Sequence, residues 1–343
     1  MIFRPKSAVI RAEYVLWALL AFLMPLWQQV LPLLLGGLLL LRVLFRTHRT
    51  GSPSRMDRSF LVLFIVLYAL HALGMLWTEN VAHGLFDLQV KLALILVPLL
   101  LYTSPIDRED LVVVGFGGII VGSVVAAFVG FAHMAWLCFF GDDDVLFAGT
   151  GFSFYMHQGY FASFFCFSFI GLSELLVRRN KLFSGIAKKI AILCLFVLAA
   201  AIVFTLSRTG LIVLGLSALV VAFSGLMKWR TKRSMILLIT TSLIGVVLVG
   251  TTANRMIGRF EGLFRTLNKI ETLDVTATDA NTVRILLLDI SADLIDQNFW
   301  TGVGTGDIKD ELRSNAISKG YSGVSRMDLN AHDQFLQVFS TPQ

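Results

Sequence analysis
The chain has 343 residues, 56% of them hydrophobic, and a formal net charge of +6. Soluble globular chains average about 45–50% apolar residues, and apolar runs of about 18 or more recur here, so the composition excludes an ordinary soluble domain. The positive balance does not point to a nucleic-acid partner, because in a membrane chain the position of the charges matters more than their sum.

The first apolar run, EYVLWALLAFLMPLW, follows Arg4, Lys6 and Arg11 without a small-residue cleavage site, so it reads as a retained span. Nine complete spans are expected, at roughly 12–27, 30–46, 59–76, 85–102, 111–139, 157–177, 188–206, 209–227 and 234–252. The first two share a tight corner at Gln28 and Gln29. The weak alternation of an outer-membrane barrel is absent, and a chain in lipid must satisfy its own backbone. The expected fold is therefore all-α, a polytopic membrane helix bundle. Cys138, Cys166 and Cys194 all lie inside apolar runs and read as small core residues.

The connections alternate in charge. Basic segments are the N-terminus, 42–58 (Arg42, Arg46, Arg49, Arg55, Arg58), 178–189 (Arg178, Arg179, Lys181, Lys188, Lys189) and 228–233 (Lys228, Arg230, Lys232, Arg233). Neutral or acidic ones are 77–84, 141–156 with Asp142, Asp143 and Asp144, and the corner SRTG at 207–210. The basic group is then cytoplasmic, and the SRTG corner faces outward with everything after residue 252. The expected division is a bundle over 1–252, an outer helical segment over 253–330, and the start of a further span over 331–343. The outer segment holds 11 Asp or Glu and 9 Lys or Arg. Within it, Leu288, Ala292, Ile295 and Phe299 fall on one helical stripe, with Leu287, Ser291 and Leu294 beside it. After it, HDQFLQVF begins an apolar run and the chain stops at STPQ, so a tenth helix is expected to be cut short.

Five residues are candidates for chemistry. Arg208 is the one Lys or Arg in the short outward corners. It could snorkel to the interface, or it could clamp an anion, since a guanidinium grips phosphate with two parallel bonds and cannot lose its charge. Arg284 heads the outer-segment helix and reads by itself as a solvated charge. Lys91, in the outer third of the fourth span, stands four residues after Asp87, so an ion pair is expected. His157 enters the sixth span from the outer side and reads as a helix-end or acceptor-groove residue. His332, in LNAHDQFLQ, would sit at the outer boundary level with Arg208, where a neutral imidazole suits a general base. The glycine-rich TGVGTG at 301–306 follows a helix and not a strand, so it reads as a flexible turn. No metal-ligand spacing is present, and no metal or cofactor is expected.

Together these pieces resemble one family. An S-R-T-G corner joins two spans, a long outer segment reads T-V-R then W-T-G-V-G-T-G, and A-H-D-Q-F-L opens the next helix. The span region WTENVAHGLFDLQVKLALILVPLL adds to the likeness. This is similar to the O-antigen ligase and polymerase superfamily of bacterial inner membranes, over roughly residues 60–340. The resemblance implies a C-type glycosyltransferase-like membrane fold and a metal-independent inverting glycosyltransferase. It further implies an undecaprenyl diphosphate-linked glycan donor, a lipid A-core acceptor hydroxyl, and a site facing the periplasm. On that likeness Arg208 and Arg284 hold the donor diphosphate, and His332 acts on the acceptor hydroxyl. Asp333 stands where the family often has Asn, and family members usually continue for two or more spans beyond the histidine. An O-antigen polymerase and a protein O-oligosaccharyltransferase remain open within the superfamily. A transporter is disfavoured, because repeated halves and charges near the midplane are not evident.

Overall fold
The computed structural model describes residues 8–45, 55–140, 148–178, 185–217, 274–276, 278–299 and 302–326. Every regular element among them is helical. Among the described residues, six helical segments are long and apolar enough to cross a membrane. The expected spans 209–227 beyond residue 217 and 234–252, and the segment 331–343, lie outside the described residues.

Two compact units result, one from 1–47 with 105–260 and one from 48–104 with 261–343. The first contains α1 (Ala8–Leu23), α2 (Leu31–Phe45), α6 (Arg108–Phe140), α7 (Gln158–Arg178), α8 (Gly185–Phe204) and α9, described over Arg208–Ser217. In lipid the apolar tails solvate a leucine as well as another helix does, so close packing decides which faces meet. Small residues set the α1–α6 crossing. A Cβ on Gly122 would lie 2.1 Å from the Phe22 carbonyl oxygen, and one on Gly118 would lie 2.7 Å from the Ala21 Cβ. These two glycines, four apart, let the backbones touch as in the small-xxx-small pattern. Between α6 and α7 the buried Ser168 hydroxyl donates to that of Ser123 at 2.8 Å. Phe152, Phe161 and Phe165 are fully buried and stack in sequence, with Phe161 and Phe165 centroids 4.4 Å apart.

One expectation of this unit is corrected. Arg42 is not a loop charge. It lies within α2, almost fully buried, and its guanidinium donates to both carboxylate oxygens of the fully buried Glu13, at 3.1 and 3.3 Å. The reason is geometric: Glu13 sits near the start of α1 and Arg42 near the end of α2, so an antiparallel hairpin brings them level. A buried charge persists in such surroundings only when paired.

The second unit contains α3 (Arg55–Leu73), α4 (Val81–Lys91), α5 (Ala93–Tyr102), α10 (Ala280–Gln297), α11 (Ile308–Ser318) and the single turn α12 (Ser322–Ser325). The expected fourth span lies within one apolar stretch, Val81–Tyr102, that α4 and α5 form together. The ladder breaks at Leu92, whose N–H reaches the Gln89 carbonyl three residues back at 3.3 Å. The lobe of α10 to α12 buries Val283, Leu286, Leu287, Ile290 and Leu294 against Ile308, Leu312, Ala316 and Val324. The sequence stripe was thus misplaced by about one position. Leu287, Ser291 and Leu294 face inward, while Leu288 and Phe299 are 44% and 60% exposed. The partner helix selects the denser leucine-isoleucine stripe, a choice that periodicity within α10 does not contain.

Candidate functional site
The SRTG corner is a helix N-terminus. Ser207 is the cap of α9, its hydroxyl accepting the Gly210 N–H at 3.3 Å, and Arg208 is the first helical residue. The turn into it is tight. The Thr205 hydroxyl donates to the Ile202 carbonyl at 2.6 Å and accepts the Ser207 N–H at 3.3 Å. Leu206, a buried residue, takes φ 53°, a left-handed conformation that costs a leucine on the order of 1 kcal/mol. Strain of that kind persists only where the surroundings over-determine it. Here they do. Gly149 donates its N–H to the Phe204 carbonyl at 2.8 Å, and a Cβ on Gly210 would lie 2.8 Å from the Ala162 Cβ on α7. Glycine is required at 210 by that approach.

Arg208 itself is partly buried and Thr209 exposed. A cation at a helix N-terminus opposes the helix dipole, and the free N–H groups there favour an anion. The corner therefore combines a guanidinium with the end of a helix that attracts negative charge.

His157 belongs to the same neighbourhood. It is the exposed residue immediately before α7, and its Nδ1 accepts the Gly159 N–H at 3.2 Å. The next residue, Gln158, flanks Gly149 opposite Leu206. The fold thus brings the start of α7 to the SRTG corner through the 148–156 turn. A further imidazole lies on that turn. His133 of α6 is bonded through Nδ1 to the Gly151 carbonyl at 2.7 Å and stacks on Phe154 with centroids 3.9 Å apart.

In the second unit Lys91 closes α4 and pairs with Asp87, as its spacing predicts. Arg284 is exposed on the first turns of α10, beside the buried Val283. The α10 start is capped by Asp279, whose carboxylate accepts the Thr282 N–H at 3.1 Å. His332 lies outside the described residues.

The glycine-rich segment is not a flexible turn. It is a packed joint with the corner between α3 and α4. The Thr305 hydroxyl donates to the His71 carbonyl at 2.6 Å, and the Gly306 N–H donates to the Thr78 hydroxyl at 3.3 Å. Asp307, buried, accepts the N–H groups of Glu79 and Asn80 at 2.9 and 2.7 Å. A Cβ on Gly306 would lie 2.3 Å from the Asn80 carbonyl oxygen, so only glycine fits. Gly304, at φ 98°, needs its conformational freedom as well. Sequence reasoning missed this joint. The available signal was the Asp after the glycines, one residue before a helix, together with the polar TEN between two apolar runs. Beside the joint opens a cleft of about 470 Å³, lined by Trp77, Asn80 and the acidic Glu79, Asp307, Asp310 and Glu311. Its sign suits no diphosphate, since like charges repel.

Residues 193–341 match the family described as O-antigen ligase. That stretch contains Arg208, Arg284 and His332. No curated protein and no solved structure matches the chain. The match covers the C-terminal part of the chain and supports a likeness of that part to the O-antigen ligase and polymerase superfamily.

Proposed function
We propose that this chain is an O-antigen ligase. It transfers a polysaccharide from undecaprenyl diphosphate to a hydroxyl of lipid A-core at the periplasmic face of the inner membrane. The observation that supports this most directly is Arg208 as the first residue of α9, its guanidinium added to a helix end that favours anions. The family match over the same residues supports the glycan-transfer class.

The chemistry follows from the leaving group. As the anomeric C–O bond breaks, negative charge grows on the isoprenoid diphosphate. Arg208 and Arg284 stabilise it by charge-assisted hydrogen bonds, which are stronger away from bulk water. His332 takes the proton of the acceptor hydroxyl while that oxygen attacks the anomeric carbon from the opposite face, so configuration inverts. Lys91 and His157 contribute to substrate binding, His157 on the acceptor side. Holding two membrane-anchored substrates in line supplies much of the remaining gain.

The test is complementation of a ligase-deficient strain, read as smooth against rough lipopolysaccharide on a gel. Restored long-chain lipopolysaccharide supports the ligase, whereas rescue of a polymerase-deficient strain alone reassigns the chain within its superfamily. Arg208→Ala is expected to abolish transfer with normal membrane levels. Arg208→Lys should also be poor, because a point charge does not replace a planar fork. His332→Ala should bind donor without turnover, and near-normal transfer by that variant removes the base from the mechanism.

A further inference from the structure
We propose that Asp307 is a positioning residue for the transfer reaction: with Thr305 and Gly306 it latches the α10–α12 lobe, and Arg284 with it, onto the corner between α3 and α4. The inference rests on the reading of Arg284 as a residue that holds the donor.

A rigid path runs from the corner to the arginine. The N–H groups of Glu79 and Asn80, at the start of α4, are fixed to the two carboxylate oxygens of Asp307 at 2.9 and 2.7 Å. Asp307 immediately precedes α11, and its carbonyl accepts the Glu311 N–H at 2.9 Å in that helix's first turn. Ile308 and Leu312 of α11 then pack on Leu286, Leu287 and Ile290 of α10. Arg284 projects from the same helix, next to the buried Val283.

The joint is polar and directional. Besides Asp307, the Thr305 N–H reaches the Gly74 carbonyl at 3.3 Å, its hydroxyl reaches the His71 carbonyl at 2.6 Å, and the Asn80 side chain donates to Asp310 at 2.9 Å. An apolar contact tolerates sliding, whereas hydrogen bonds weaken steeply with angle and fix both distance and orientation. The lobe's own apolar core is built from lobe residues. The latch thus sets where the lobe stands against the corner between α3 and α4. A misplacement of about 1 Å at a positioned group can cost on the order of a hundredfold in rate. Three links therefore act together: Thr78 as the receptor of the loop, Thr305 and Asp307 as its bonds, and Gly306 as the residue small enough to let them form.

The experiment uses the full chain in membranes, with undecaprenyl diphosphate-linked glycan and lipid A-core as substrates. In Asp307→Asn the amide NH2 meets the Glu79 N–H, donor against donor, so one of two bonds is lost. A rise in donor KM of about tenfold is expected, with acceptor KM unchanged, consistent with one charge-assisted bond lost. Thr305→Val should act in the same direction and Thr305→Ser should restore the wild-type value, because only the hydroxyl reaches His71. This pair carries the test if Asp307→Asn fails to accumulate. Combined with Arg284→Ala, Asp307→Asn should add no further loss, since the latch acts through that arginine. Losses that multiply in the double variant overturn the latch. So do wild-type kinetics in both Asp307→Asn and Thr305→Val when Arg284→Ala is impaired. Full activity in Arg284→Ala overturns the donor-holding reading itself, and this inference with it.

Discussion
Glu13 and Arg42 form a buried pair across the α1–α2 hairpin, and it can be tested by a double-mutant cycle. Glu13 is fully buried and Arg42 is 6% exposed, with two contacts of 3.1 and 3.3 Å between fork and carboxylate. Removing one partner leaves the other charge in a medium that cannot solvate it. The cost of such a single loss is about 3–5 kcal/mol, whereas replacing both partners by apolar residues of similar volume is neutral or stabilising. Glu13→Met and Arg42→Met should each lower the folded-to-unfolded ratio by roughly a hundredfold or more. The double variant Glu13→Met with Arg42→Met should return to within about 1 kcal/mol of wild type. Equilibrium unfolding of the purified protein in mixed micelles, followed by tryptophan fluorescence, measures all four corners. Single losses below about 1 kcal/mol, or a double variant whose loss equals the sum of the singles, would refute the reasoning. The pair would then be a surface-like contact despite its burial.

Three further outcomes follow from the packing. Gly122→Leu should separate α1 from α6 and lower the unfolding midpoint, because even its first carbon would lie 2.1 Å from the Phe22 carbonyl oxygen; thermal unfolding followed by size-exclusion chromatography reads this, and an unchanged midpoint contradicts the close approach. The Ser291 hydroxyl is buried without a hydrogen-bond partner among the described residues. Ser291→Ala should therefore stabilise the lobe by about 1 kcal/mol, seen as slower amide exchange in α10 and α11 peptides of the full chain. The last outcome concerns pH. Lys319 is bonded to Asp289 at 2.6 Å and pairs with Asp293. The Lys319 hydrogen bond, aided by that of Tyr321 and opposed by burial, holds the Asp289 carboxyl below its ordinary range. Burial would lower the Lys319 ammonium, but the two aspartates outweigh it and raise it. A depressed carboxylate stabilises above its unfolded value, about pH 3.9, and that contribution is lost as pH falls through the folded value. A raised ammonium stabilises below about pH 10.4 and is lost as pH rises through its folded value. Both aspartates are exposed, at 49% and 40%, so solvent screening limits the cluster to about 0.2–1 kcal/mol. The exchange difference between wild type and Lys319→Ala should be flat between about pH 5 and 9 and shrink as pH falls below about 3.9. A difference that does not shrink at all as pH is lowered through that range would mean that Lys319 acts by packing and not by charge.

The chain's membrane character and several of its spans were legible in the residues alone. Hydrocarbon thickness sets the length of an apolar run, and length needs no tertiary contact to be read. Lys91 with Asp87 was legible for a similar reason, since four residues on a helix make neighbours whatever packs outside. Arg208 could be singled out because a lone cation breaks the charge pattern of the neutral and acidic connections. What the sequence did not contain is how each helix is rotated and which polar groups meet across long separations. The inward face of α10 was decided by Ile308 and Leu312, and the fate of Arg42 by Glu13, 29 residues away. The role of TGVGTG was decided by a corner 228 residues earlier, where Thr78 and the Asn80 backbone leave room for glycine alone. Local pattern reports what one element prefers, but burial and hydrogen-bond satisfaction are properties of pairs of elements, and those exist only once the chain has packed.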